Sequence, residues 1–95
     1  MTKTLTPLFE LGQIVATPEA LQAMNEAGQI APEFLRRHVC GDWGECDWAD
    51  AKENELSAKN GFRILSVYKT HLNEKLWIIT EADRSSTCLL LPSNY

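Results

Sequence analysis

The sequence predicts an α+β fold: about three N-terminal helices packed on a C-terminal antiparallel meander sheet of three to four strands, in a single domain over residues 1–95. Helix start and stop signals recur up to Gly61, and after Gly61 the apolar period changes from helical to alternating. No repeat, low-complexity tract or linker interrupts that order. With 95 residues, 44% hydrophobic and 23% charged, the composition is that of a small globular domain. The length is near the lower limit for a core without disulfides or metal.

The early stretch LFELGQIVA, residues 8–16, either adds a fourth strand or lies across the helices. In TPEALQAMNEAG, Thr17 caps a helix, Pro18 takes the first helical position, and Gly28 suits the left-handed residue past the end. Leu21 and Met24, with Ala20 and Ala27 beside them, supply its apolar face. A second helix covers APEFLRRHV, with Pro32 in its first turn, Phe34, Leu35 and Val39 as the stripe, and Gly41 as the stop. Asp47 caps a third helix through DWADAKENELSAKNG, with Asp50 in the capping-box place and Asn60-Gly61 at the end. The acids at its start also suit the positive end of the helix dipole.

FRILSVYKT puts Phe62, Ile64, Ser66 and Tyr68 on one face of a strand and Arg63, Leu65, Val67 and Lys69 on the other. HLNE connects it to KLWIITEA, and a turn at Asp83-Arg84-Ser85 leads to a third strand at STCLLLP.

Charge narrows the function classes. The net charge of −4 and a pI near 5.0 argue against direct nucleic-acid binding, which needs a dense basic surface to neutralise phosphates. From Asp42 to Glu55, six acids face one base, Lys52, so this segment carries −5 and the rest of the chain +1. The longest apolar runs, such as Cys88 to Leu91, are far below the roughly 20 residues that span a bilayer. The start, MTKTLTPLFELGQIVA, has one lysine and no long apolar core, unlike a secretory leader. Three cysteines without framework spacing suit reduced thiols, so a cytoplasmic location is expected.

RRHVCGDWGECDWAD, residues 36–50, concentrates the reactive side chains. His38, Cys40 and Cys46, with Asp42 and Asp47, offer metal donors, but H-x-C-x5-C lacks the second pair of a structural zinc site. Neither a metal nor another cofactor is expected, and Cys40 reads as a small buried apolar residue. His38 and Cys40, two apart on a helix, point away from each other, and nothing beside Cys46 lowers its pKa. The stretch reads chiefly as a capped helix junction that doubles as a docking face of Asp42, Trp43, Glu45, Asp47, Trp48, Asp50 and Glu53. One indole plugs the end of the core, and an exposed one would anchor a partner.

The strands carry a second polar cluster. Arg63 and Lys69 share a face, antiparallel partners would bring Thr80 or Thr87 alongside, and His38 completes the set if its helix packs over the sheet edge. His38, Arg63, Tyr68, Thr80, Arg84 and Thr87 would then suit metal-independent RNA cleavage, the histidine moving a proton and the cations stabilising phosphorane charge. Turn chemistry accounts for much of the same cluster, since in TEADRSS Asp83 can close an Asx turn and Glu81 or Asp83 can pair with Arg84.

The pattern LFELGQIVATPEAL, FLRRHVCGDWG, NEL, GFRILSVYKT, KLWIITEADRSSTCLLLP resembles a family of short proteins encoded on plasmids and other mobile elements, loosely labelled plasmid-related or as a restriction-system subunit. Ninety-five residues hold neither a methyl-donor fold nor a recognition domain, so the subunit label carries no mechanism. The resemblance implies a mobile-element accessory protein, and small acidic inhibitors in that setting, anti-restriction and anti-CRISPR proteins among them, occupy the basic surfaces of their targets. It therefore implies a partner: a host nucleic-acid-processing defence complex with a basic surface, bound and inhibited or modulated through the acidic face. A fainter resemblance, to the barnase, EndoU, colicin and RelE-like ribonucleases, rests on helices placed before an antiparallel sheet and on the order of His38, Arg63, Tyr68, Thr80, Arg84 and Thr87. It implies a small metal-independent ribonuclease as the alternative. An exposed edge strand leaves room for a homodimer.

Overall fold

The computed structural model describes residues 7–95; residues 1–6, the start of the stretch read above as unlike a secretory leader, lie outside the described residues. The elements follow in the order β1 (Gln13–Ala16), α1 (Pro18–Glu26), α2 (Ala31–Val39), α3 (Trp48–Asn60), β2 (Ile64–Lys69), β3 (Lys75–Thr80) and β4 (Ser86–Leu90). A short 3-10 turn covers Pro92–Asn94.

Local chemistry sets the helix ends where the sequence places them. Thr17 Oγ1 accepts from the Ala20 amide at 3.1 Å, and Asp47 Oδ1 accepts from the Asp50 amide at 2.8 Å. Each cap occupies a donor that the first helical turn cannot satisfy internally. Gly61 ends α3 in the left-handed region at φ 77°.

The sheet order is β1-β4-β3-β2. β2, β3 and β4 form the antiparallel meander that the alternation predicts. LFELGQIVA contributes the fourth strand, but its pairing is parallel: Gln13 lies opposite Ser86 and Ala16 opposite Leu89. Parallel neighbours need a long crossover, and here three helices and two strands lie between them in the chain.

Helices α1 and α2 cover one face of the sheet, where Ala20, Met24, Phe34 and Leu35 pack with Tyr68, Leu76, Ile78 and Leu89. Leu21, expected in this face, is exposed; the phase of α1 turns Ala20, Ala23 and Met24 inward and leaves Leu21 one step round the helix.

Helix α3 does not join that packing and buries only Asn54 and Ser57. It lies beside β2, where Asn54 substitutes for a neighbouring strand. Its Nδ2 donates to the Leu65 carbonyl at 2.6 Å, and its Oδ1 accepts from the Leu65 amide at 3.2 Å. The next outward-facing pair on β2 goes to the loop before α3, with the Val67 amide donating to Trp43 O at 3.1 Å and the Glu45 amide donating to Val67 O. Gly44 makes this approach possible, since a Cβ there would collide with the Val67 carbonyl oxygen. Together, Asn54 and the 43–45 loop satisfy an edge that would otherwise present unpaired backbone groups. No helix among the described residues is long and apolar enough to cross a membrane.

Candidate functional site

Four of the six residues considered for RNA cleavage sit together, but inside the protein. His38, Thr80 and Thr87 are fully buried and Tyr68 nearly so, with Ser66 joining them. The hydrogen bonds form one directed chain. Thr87 Oγ1 donates to Leu11 O at 2.7 Å, so its oxygen accepts from Thr80 Oγ1, also at 2.7 Å. The Thr80 proton is thereby committed, and Thr80 must accept from His38 Nε2–H at 2.9 Å. His38 Nδ1 is left as the acceptor for the Ser66 hydroxyl at 2.6 Å. The imidazole is therefore the neutral Nε2–H tautomer, with both nitrogens occupied.

Its surroundings enforce that state. Phe9 meets the imidazole edge-on at a centroid distance of 5.1 Å, and Trp43 does so at 6.1 Å. Burial, aided by the positive charge of Arg84, pushes the His38 pKa down to about 3. A histidine sealed in this way ties α2 to β2 and β3 and offers no lone pair to a substrate.

Neither arginine belongs to this hydrogen-bonded cluster, which corrects the expected grouping, although Arg84 lies over the Phe9 ring that meets His38. Antiparallel register sets Thr80 opposite Ile64, on the Ser66 face, so Thr80 and Thr87 do not lie alongside Arg63. Arg63 occupies the opposite face, with Nε 3.8 Å from Glu81 and Nη1 donating to Tyr95 Oη at 3.0 Å. Arg84 is committed to backbone carbonyls: Nη1 donates to Phe62 O at 2.7 Å and Nη2 to Ser57 O at 2.9 Å. It thereby places a cation at the C-terminus of α3, where the Ser57 carbonyl also accepts from the Gly61 and Phe62 amides and the negative end of the dipole favours positive charge. Asp83 does close the expected Asx turn, accepting from the Ser85 amide at 3.0 Å, while the Glu81 carboxylate faces Arg63. Tyr68 donates to Asp42 O at 2.6 Å under the Arg37 guanidinium, and burial raises its phenol pKa.

The acidic segment divides into structural and displayed carboxylates. Asp42 pairs with Arg37 Nε at 2.7 Å, which holds the guanidinium pKa above its ordinary value. Asp47 caps α3, and Glu55 accepts from Trp43 Nε1 at 3.1 Å. Glu45, Asp50 and Glu53 are exposed, and their carboxylates have no hydrogen-bond or ion-pair partner among the described residues. The indoles separate in the same way: Trp43 is 5% exposed and plugs the core, whereas Trp48 is 76% exposed, with Lys52 Nζ 5.0 Å from its ring. Trp43 is thus unavailable as an anchor.

The sheet face away from α1 and α2 carries a groove of about 370 Å³ that no motif in the sequence announces. Leu65, Val67, Trp77 and Ile79 form its floor, and Asp50 and Glu53 stand on its α3 side. The alternation of β2 and β3 carried a signal for it, because both strands are apolar on both faces. Cys46 also lines the groove, and burial raises its thiol pKa, so it is a poor nucleophile. Among the described residues, no three His, Cys, Asp or Glu side chains converge as a metal site.

Comparison with protein-family models, with curated proteins and with solved structures returned no match.

Proposed function

We propose that the protein is a cofactor-free binding protein that engages a basic surface on a protein partner through α3 and the loop before it. One observation carries this reading: α3 buries only Asn54 and Ser57 of its 13 residues, yet it is firmly capped at both ends. Such a helix adds little to the apolar core. What it does is hold Trp48 and the unpartnered carboxylates of Asp50 and Glu53 at the surface. Complementary charge speeds and orients docking, and a large indole on the same helix can supply apolar binding energy.

The resemblance to mobile-element accessory proteins suggests the class of partner, a cytoplasmic host complex that processes nucleic acid in defence, with inhibition or modulation as the outcome. Metal-independent ribonuclease activity is less well supported, because His38 is sealed and both arginines are engaged elsewhere.

The test is affinity capture from host lysate by the protein and by an Asp50→Lys, Glu53→Lys variant. Asp47 is left in place because it caps the helix. A stoichiometric protein partner held by the first and lost by the second is expected. Equal capture by both would sink the acidic-face reading, and RNA shortened in the presence of chelator would move the assignment to nuclease chemistry.

A further inference from the structure

We propose that the groove between α3 and the outer face of the sheet receives a basic amphipathic segment of the partner polypeptide, with an apolar side chain on its floor and a lysine or arginine on Asp50 and Glu53. This deepens the binding reading above and rests on it. The floor is built by register: Leu65 lies opposite Ile79 and Val67 opposite Trp77, on the face that α1 and α2 leave uncovered. Leu65, Val67 and Trp77 stay partly exposed there. Tyr95 meets Trp77 edge-on at a centroid distance of 5.6 Å and closes the far end.

Charge selects the occupant. Arg63, the cation of the lining, is balanced by Glu81 at 3.8 Å and tied to Tyr95. Asp50 and Glu53 have no such counter-charge among the described residues, so the groove is apolar below and net acidic at its α3 wall. A cation placed there beside a low-dielectric floor interacts more strongly than it would on an open surface.

Helix geometry separates this site from Trp48. Residues two apart on a helix project to opposite sides, so Asp50 faces the groove while Trp48 points away from it. The segment that engages Asp50 and Glu53 therefore takes its apolar contact from the sheet, and Trp48 is left for another part of the same partner. The volume of about 370 Å³ suits one or two side chains of an extended segment.

The test uses two peptides and the native Cys46 thiol, which lines the groove. Acetyl-Lys-Leu-Lys-Leu-Lys-amide and its charge-inverted counterpart, acetyl-Glu-Leu-Glu-Leu-Glu-amide, are titrated against the intact protein by calorimetry. Iodoacetamide labelling is followed cysteine by cysteine by mass spectrometry, with Cys40, which does not line the groove, as the reference. The basic peptide is expected to bind and to slow labelling of Cys46 but not of Cys40. The acidic peptide is expected to bind about tenfold more weakly or not at all, the loss of two partly exposed ion pairs.

An Asp50→Asn, Glu53→Gln variant should lose the preference between the peptides. Binding of the basic peptide without protection of Cys46 would place the contact outside the groove and overturn the inference, while leaving the acidic-face reading intact. Equal binding of both peptides, or of neither, would overturn it as well. The lysate capture described above judges the broader reading separately.

Discussion

His38 makes the fold sensitive to acid, and the size of the effect follows from its burial. In the unfolded chain its pKa is near the ordinary 6.5, whereas in the fold it is about 3. Between those values the unfolded chain binds a proton that the native state refuses. The contribution of neutral His38 is thus fully present above pH 6.5 and is lost progressively as pH falls toward 3. Each pH unit in that window costs about 1.4 kcal/mol, so a drop to about pH 4.5 removes about 3 kcal/mol. Against the 5–15 kcal/mol typical of a whole domain, roughly, that is a large fraction. Replacing His38 with Gln removes the titrating group while leaving a donor for Thr80 and is expected to flatten this dependence, even though the variant starts from lower stability. The assay is urea unfolding of both proteins at several values between pH 7.5 and about 4.5, with the difference between their stability-versus-pH slopes as the readout. That difference should approach one proton. Parallel curves for the two proteins would refute the claim that His38 is held neutral.

Two further outcomes follow from the placement of α3. Asn54→Leu leaves the Leu65 amide without a partner and its carbonyl with only the weak Cys46 thiol donor at 3.6 Å, and should cost about 1–3 kcal/mol, with faster hydrogen exchange at the Leu65 amide; retained protection there would show that Asn54 does not close the strand edge. Trp48→Ala should change stability by no more than about 0.5 kcal/mol, since the indole is exposed, yet weaken partner capture; a large drop in melting temperature would mean that the indole supports the fold instead.

How much could be read from the sequence depended on how local the physics was. Thr17, Asp47 and Gly61 act on groups within a few residues, so the helix ends were legible. The β2 and β3 faces were legible through alternation, but the parallel partner of β1 was not, since nothing in residues 13–16 specifies residues 86–89. The sequence shows His38 as a candidate for moving a proton, not as a residue packed inside the protein. Its partners Ser66 and Thr80 lie 28 and 42 residues away, and only the packed fold shows that the cluster is closed to solvent. Trp43 and Trp48 looked alike in the sequence. Their fates diverge because the first lies in the loop drawn to β2 by Gly44, and the second starts a helix whose inward face is polar. The lack of a continuous apolar stripe from Trp48 to Asn60 was a readable sign that this helix would stand beside the core.

On the proposed reading, α3 and its carboxylates form the working surface of the molecule. The most direct measurement compares capture of host protein by the native chain and by the Asp50→Lys, Glu53→Lys variant, with circular dichroism confirming that both are folded. One partner retained by the native protein and absent from the variant is expected. The same partner recovered equally by both folded proteins would contradict that reading.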